Sequence, residues 1–312
     1  MKKFHGERNV NFLLQFRLIG KGNDMVASRY VLITGASTGI GAACAIGCAE
    51  RGMTVFAGVR NFSAGHALQA KAGASIIPVE LDVTDGDSIH KAAELVSRQV
   101  GEAGLSGLVN NAGIAIGSPL ELIPIQQLRR QLEVNVVGQI AVTQSVLPLL
   151  RRARGRIVNM GSIAGRGAIP MMGPYSASKH ALEALTDALR LELYPWGMDV
   201  SIIEPGAINT PIWGKSLQVS MGIESELPLA GRQLYQDTAE RIRDSVDRAA
   251  RRAIPTDAVV QAVLHALTAR RPRTRYLVGG DAKLRAMMRR WLPDRVHDWI
   301  LKKVLDLPRH AS

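Results

Sequence analysis

"YVLITGASTGIGAACA", residues 30–45, decides how the chain folds. It opens on an apolar run, breaks into a short polar turn carrying Gly35, Gly39 and Gly41, and passes into an alanine-rich stretch of helical character. An apolar run without alternation implies a strand buried on both faces. Glycines after such a strand permit a tight turn and let an anion approach backbone N–H groups at a helix N-terminus, where the dipole favours negative charge. The spacing differs from G-x-G-x-x-G, so the turn alone fits either a compact connection or a pyrophosphate site. Its place between the first strand and a helix favours a dinucleotide.

The same grammar repeats downstream. "TVFAGV", "SIIPVELDV", "GLVNNAG", "GRIVNM" and "DVSIIEP" are further apolar runs, separated by helix-length segments. The expected fold class is α/β, a doubly wound parallel sheet with helices on both faces, and ligands belong beyond the carboxyl ends of its strands. At 312 residues with 46% hydrophobic content, one domain with extensions is favoured over two. We divide the chain into an extension over residues 1–24, a catalytic domain over 25–280 with a substrate lid at about 207–250, and a helical extension over 281–312. Residues 1–24 are expected to be disordered and the fold to begin after Met25, because "NFLLQFRLIG" is too short and too interrupted to span a bilayer.

Charge and cysteine usage narrow the setting. The net charge is +12, and residues 241–312 hold 17 Lys plus Arg against 7 Asp plus Glu. No nucleic-acid motif accompanies that charge, so no nucleic-acid partner is expected. The two cysteines, Cys44 and Cys48, stand four apart in a helical stretch and are poor disulfide partners. A reducing, cytoplasmic compartment fits them best.

The ends of the second and third strands suggest which dinucleotide. An NAD enzyme usually places an acid after the second strand for the ribose hydroxyls, whereas an arginine accommodates a 2′-phosphate. "FAGVRNF" offers Arg60 and no acid, so NADP(H) is preferred, with Ser37 as a second phosphate donor and NAD(H) as the alternative. The bland reading of Arg60 is a solvated loop cation. In "LDVTD", Asp82 is placed to accept from the adenine amino group, with Val83 giving its backbone N–H, or else to cap the next helix.

"GPYSASKHALEAL", residues 173–185, carries the chemistry. Tyr175 and Lys179 stand one helical turn apart and emerge on one face. A phenol with pKa near ~10 is inert at neutral pH unless a cation within about 4–6 Å favours its phenolate, so the pair reads as a proton-transfer device.

TGASTGIG, LDVTD, NNAG, the Asn of VNVVG, the Ser of NMGSIAG, YSASK and the PG of EPGAINT occur in an order and spacing that resemble the short-chain dehydrogenase/reductase family, over about residues 28 to 280. The style of the chain is most similar to the hydroxysteroid and retinol dehydrogenase-like branch. The resemblance implies a single-domain Rossmann fold with seven parallel strands, a nicotinamide dinucleotide, a homodimer or homotetramer, no metal, and hydride transfer between an alcohol and a carbonyl. It implies Tyr175 as the proton donor and acceptor, and Lys179 as the cation that lowers its pKa and holds the ribose. Ser162 would bind the reacting oxygen, and Asn135 would hold a water linking Lys179 to solvent. Gly35, Ser37, Gly39, Ile40 and Gly41 would cradle the pyrophosphate; Asn110, Ala112 and Gly113 would pack along the cofactor; Pro205, Gly206 and Thr210 would embrace the nicotinamide end. One departure is visible: Gly161 stands where many members carry a second serine.

After Thr210, the apolar residues Ile212, Trp213, Leu217, Val219, Met221 and Ile223, with Met171 and Met172, suggest a mobile lid and a hydrophobic pocket. The expected reaction is NADP(H)-dependent and acts on a lipophilic secondary alcohol or ketone, of steroid, retinoid or long-chain type. The alternatives are a non-catalytic dinucleotide-binding regulator and an NAD-dependent alcohol dehydrogenase. In residues 282–307, Leu284, Met287, Met288, Trp291, Val296, Trp299, Ile300, Val304 and Leu305 form an apolar stripe among cations, on two helices joined near Pro293. The stripe is expected to pack against the lid or a neighbouring subunit, with weak peripheral membrane contact as the alternative.

Overall fold

The computed structural model describes residues 29–308. The expectations for residues 1–24 and for Met25 lie outside the described residues. Seven strands, β1 (Tyr30–Ile33), β2 (Thr54–Val59), β3 (Ile76–Glu80), β4 (Gly107–Asn110), β5 (Arg156–Met160), β6 (Val200–Pro205) and β7 (Arg275–Val278), make one sheet in the order β3-β2-β1-β4-β5-β6-β7. Every neighbouring pair is parallel. The described helices are α1 (Gly39–Glu50), α2 (Phe62–Ala72), α3 (Gly86–Val100), α4 (Ile125–Leu132), α5 (Gly138–Ala153), α6 (Gly173–Glu192), α7 (Ile212–Glu226), α8 (Leu229–Arg251), α9 (Asp257–Thr268), α10 (Gly280–Trp291) and α11 (Asp294–Val304).

The apolar runs account for the two-sided burial. In β1, Val31 and Ile33 enter one layer, where they meet Cys44 and Cys48 of α1 and Val259 and Val263 of α9. Leu32 points to the other layer with Phe56, Leu108 and Ile157, against Val96 of α3 and Val142 and Val146 of α5. Each fully buried aliphatic side chain of this kind contributes about 1.5–3 kcal/mol, so both layers hold the sheet. β7 is one of the two edge strands, at the far side from β3; its Arg275 and Leu277 are only half-buried, so its apolar run is interrupted.

The chain order reverses between β1 and β4, and the crevice at such a switch point is where doubly wound sheets take ligands. Beneath it lies a buried polar network. Asn110 Nδ2 donates to Thr143 Oγ1 at 2.9 Å and to Asn159 Oδ1 at 3.0 Å, and Asn159 Nδ2 donates to Thr186 Oγ1 at 2.8 Å. These bonds tie β4, β5, α5 and α6 into one register, because a buried amide left unpaired costs more than a satisfied one gains.

Two expectations change here. The lid segment is two helices, α7 and α8, and Leu217, Val219 and Met221 are exposed instead of lining a pocket. In the C-terminal segment two helices meet at Pro293 as expected. They bury the small residues Ala282 and Ala286 together with Leu305, while Leu284, Met287, Trp291, Val296, Trp299 and Val304 stay exposed. Among the described residues that large-residue stripe is not packed against the lid. No described helix is long and apolar enough to cross a membrane. Cys44 and Cys48 are free and buried, and burial pushes both thiols up, Cys48 to about 12.

Candidate active site

A cavity of about 790 Å³ opens at the carboxyl ends of the strands. One wall is the glycine turn. Gly35 has φ 63°, and a Cβ there would lie 2.8 Å from the Ala112 Cα; a Cβ at Gly41 would lie 2.3 Å from the Gly35 carbonyl. Only glycine allows the turn to nest this closely against β4 and α1. Asn111 locks it: Nδ2 donates to the carbonyls of Thr34 at 3.0 Å and Gly35 at 3.1 Å, and its backbone N–H donates to Thr34 Oγ1.

Gly35, Ser37, Gly39 and Ile40 line the cavity beside the α1 N-terminus, as do Arg60, Asp82, Val83, Ala112 and Gly113. Pro205, Gly206 and Thr210 line it from the β6 end. Two expected lining residues do not. Asn110 is buried in the polar network, and the following residue, Asn111, takes the cavity position because side chains alternate along a strand. Gly41 serves the packing of the turn, not the surface.

Asp82 caps no helix. Its Oδ1 accepts from the Thr84 N–H and hydroxyl, while Asp85 caps α3. Burial works against the Asp82 carboxylate, but the two Thr84 bonds and the nearby Arg60 and Arg130 outweigh it and hold the group below the usual carboxylate range.

The opposite wall brings Tyr175, Lys179 and Ser162 together. Tyr175 and Lys179 stand on the first turns of α6, whose start Pro174 favours. Lys179 is buried; its Nζ donates to the Met160 carbonyl at 2.7 Å and lies 5.7 Å from the Tyr175 ring centroid. Burial pushes this ammonium down to about 8. Burial also raises the Tyr175 phenol, and the opposing pull comes from the Ser162 hydroxyl. The expected lowering by Lys179 is therefore not the dominant influence in this geometry. Ser162 Oγ accepts from the Ala164 N–H at 3.1 Å, capping the 3₁₀ turn Ile163–Gly165, while its hydroxyl also hydrogen-bonds the Tyr175 phenol at the cavity wall.

Asn135 is completely buried in the π-helical turn Glu133–Val137 between α4 and α5. Its Oδ1 accepts from the Ile114 N–H, and Nδ2 donates to the Ile114 carbonyl and to Ser178 Oγ, each at 2.9–3.0 Å. These bonds commit the amide to the backbone behind the cavity wall. The Gly161 departure has a steric reason, since a Cβ there would lie 2.8 Å from Ile202 Cγ1 and 3.0 Å from the Ile203 carbonyl.

Sequence reasoning missed several cavity residues. Lys215 of α7 reaches across to donate to Thr38 Oγ1 at 3.3 Å, and Arg129 and Arg130 of α4 join Arg60 on the wall. The buried Glu204 takes both Nε and Nη2 of Arg166, anchoring the 3₁₀ turn after Ser162 to β6. An acid, Glu204, within an otherwise mostly apolar buried strand was the available signal for that pair. Met172, Ile212 and Trp213 line the cavity as expected, Ile169 joins them, and Met171, at φ 66°, does not line it. Among the described residues no His, Cys, Asp and Glu cluster forms a metal site.

The chain is similar to known proteins in sequence and in fold. The profile of the short chain dehydrogenase family matches residues 29–219. The chain is 36% identical over 287 residues to the NADPH-dependent 3-dehydrocapnine reductase of Ornithobacterium rhinotracheale, covering 89% of this chain and 97% of that protein. It is 39% identical over 291 residues to retinol dehydrogenase 5 of Mus musculus, covering 90% of each. A solved short chain dehydrogenase from Burkholderia cenocepacia, in complex with NADP, superposes with a TM-score of 0.66 at 27% identity, covering 90% of this chain and 98% of that one.

Proposed function

The chain belongs to the short-chain dehydrogenase family and is an oxidoreductase of CH–OH and carbonyl groups; on that premise we propose that it uses NADP(H) to interconvert a lipophilic secondary alcohol and its ketone. The observation that carries the reading is the placement of Tyr175, Ser162 and Lys179 on one wall of a cavity whose other wall is the glycine turn.

The residues present fit a nicotinamide dinucleotide. The Gly35 turn leaves no room for a Cβ and presents the α1 N-terminus to an anion. Arg60, with Arg129 and Arg130 near, supports binding of a 2′-phosphate, and the NADPH-dependent relative and the NADP-bound neighbour support the same choice. When bound, this cofactor supplies or accepts the hydride. Tyr175 Oη delivers a proton to the substrate oxygen in reduction and removes it in oxidation. The Ser162 hydroxyl donates a hydrogen bond to that oxygen as its charge develops. The Lys179 ammonium stands beside the phenol and offsets the charge it takes on when deprotonated.

Met172, Ile169, Ile212 and Trp213 support a lipophilic substrate. A reducing compartment and a homo-oligomer complete the reading; the free Cys44 and Cys48 support the first, and exposed Ile125 and Val137 support the second. The test is a panel of ketones and alcohols assayed with NADPH and NADH by absorbance of the reduced nicotinamide. Turnover of long-chain or polycyclic ketones with an NADPH preference is expected. Activity confined to small polar carbonyls, or an NADH preference, would overturn the proposal.

A further inference from the structure

Arg285 of α10 lines the main cavity, contributed by the C-terminal helices and not by the sheet. Its position is fixed by its neighbours. Ala282 and Ala286 pack against Ile163, the residue that follows Ser162, and Leu277 of β7 covers the same cluster. Small side chains bring α10 close, so the Arg285 stem lies beside the Ser162 turn.

Its partners are the unusual part. A second, smaller pocket is shared by Arg166, Arg285, Arg289 and His297. Arg166 is held by Glu204, and Arg289 is held by Asp294. Among the described residues Arg285 donates no hydrogen bond and has no carboxylate within ion-pair distance. Asp281, the acid whose charge acts on it, stands one turn earlier and accepts instead from the Ala207 N–H at 2.9 Å. The outer surface of Arg285 is open, while the cavity wall desolvates its guanidinium and disfavours the charge. A cation in that condition gains from an anion that brings its own charge into the cavity.

The same cavity carries apolar surface. Met172, Trp213, Val246 and Ala249 line it, and Ser245 adds a hydroxyl. We infer that Arg285 binds an anionic group of the substrate, so that the cavity takes an amphiphile with an apolar body and an acidic headgroup such as a carboxylate or sulfonate. This rests on the oxidoreductase reading above, which requires a carbonyl or alcohol on the same molecule near Tyr175.

Binding and turnover test it separately. The full chain, saturated with NADP⁺, is titrated calorimetrically with dodecanoate and with methyl dodecanoate, neither of which is a ketone or an alcohol. The acid should bind more tightly than the ester, and Arg285→Met should weaken the acid roughly tenfold to a hundredfold while leaving the ester unchanged. Arg285→Lys should recover part of the loss, and the Kd for NADPH, read by nicotinamide fluorescence, should not change in either variant. With a long-chain γ-keto acid and its methyl ester as substrates, the same variant should raise KM for the acid alone. Equal binding of acid and ester, no measurable binding of the acid, or acid binding untouched by Arg285→Met overturns the inference. A rise in the NADPH Kd also overturns it, by assigning Arg285 to the cofactor. Failure of the oxidoreductase reading looks different: no turnover of any carbonyl, with the calorimetric preference still present.

Discussion

Lys179 Nζ donates to the main-chain carbonyl of Met160 at 2.7 Å, fastening α6 to the end of β5 two residues before Ser162. One bond thereby sets the helix that carries Tyr175 against the strand that carries its serine. It uses one of three ammonium donors, leaving two for the cavity.

That burial has a pH signature. Lys179 falls from 10.5 to about 8 on folding. Between those values the unfolded chain keeps a proton that the folded chain has released, so this group makes stability rise as pH climbs through the window. Compared with Lys179→Met, the cofactor-free wild-type chain should gain stability from about pH 7 to about pH 10. Paired urea melts measure the difference, and a flat or falling difference contradicts the assignment.

Ser162 is expected to act on the reacting oxygen in addition to capping its own turn. Ser162→Ala should lower kcat by roughly 10²–10³, the scale of a lost donor to developing negative charge. The Ala164 N–H also loses its partner, at a cost of about 1 kcal/mol in stability. Steady-state kinetics beside a thermal melt separates the two, and a stability loss with kcat intact would reduce Ser162 to a cap.

Arg60 stands exposed at the cavity rim close to Asp82. Arg60→Asp should remove the 2′-phosphate partner, add repulsion, and offer an acceptor to a free ribose hydroxyl. The ratio of kcat/KM for NADPH over NADH should fall by about tenfold to a hundredfold. An unchanged ratio would show that Arg60 is a solvated cation and move the role to Arg129 or Arg130.

Gly161 fits its site sterically. Gly161→Ser drives a Cβ into Ile202 and the Ile203 carbonyl, and overpacking of this kind costs about 1–3 kcal/mol. Chemical denaturation should show that loss; a variant as stable as wild type would mean β6 yields more readily than its burial suggests.

The sequence made legible what depends on local pattern. Six strands announced themselves as apolar runs, and β7 did not, because it is only four residues long, opens on Arg275 and alternates in burial. Tyr175, Lys179 and Arg60 were found because i, i+4 spacing and strand ends have fixed directions, and Ser162 because the motif around it resembles a known family's. Roles set by long-range contact were not legible. Asn110 and Asn111 are adjacent and chemically identical, and only the pleat decides which faces the cavity. Asn135 is directed by Ile114, 21 residues away, and Arg285 reaches the site only because Ala282 and Ala286 let α10 approach Ile163. The C-terminal stripe was legible as an apolar face, but helical periodicity does not say what covers it, and the lid does not.

The central claim is that Tyr175 moves the proton at the substrate oxygen. Tyr175→Phe keeps the ring and removes only that proton, so NADPH affinity and turnover are measured side by side, by nicotinamide fluorescence and by absorbance with a good substrate. The account predicts NADPH binding within about twofold of wild type and a turnover reduced by roughly 10²–10⁴. Intact NADPH binding with more than about a tenth of the wild-type rate would contradict it, since general acid–base catalysis at this site could not then reside in Tyr175.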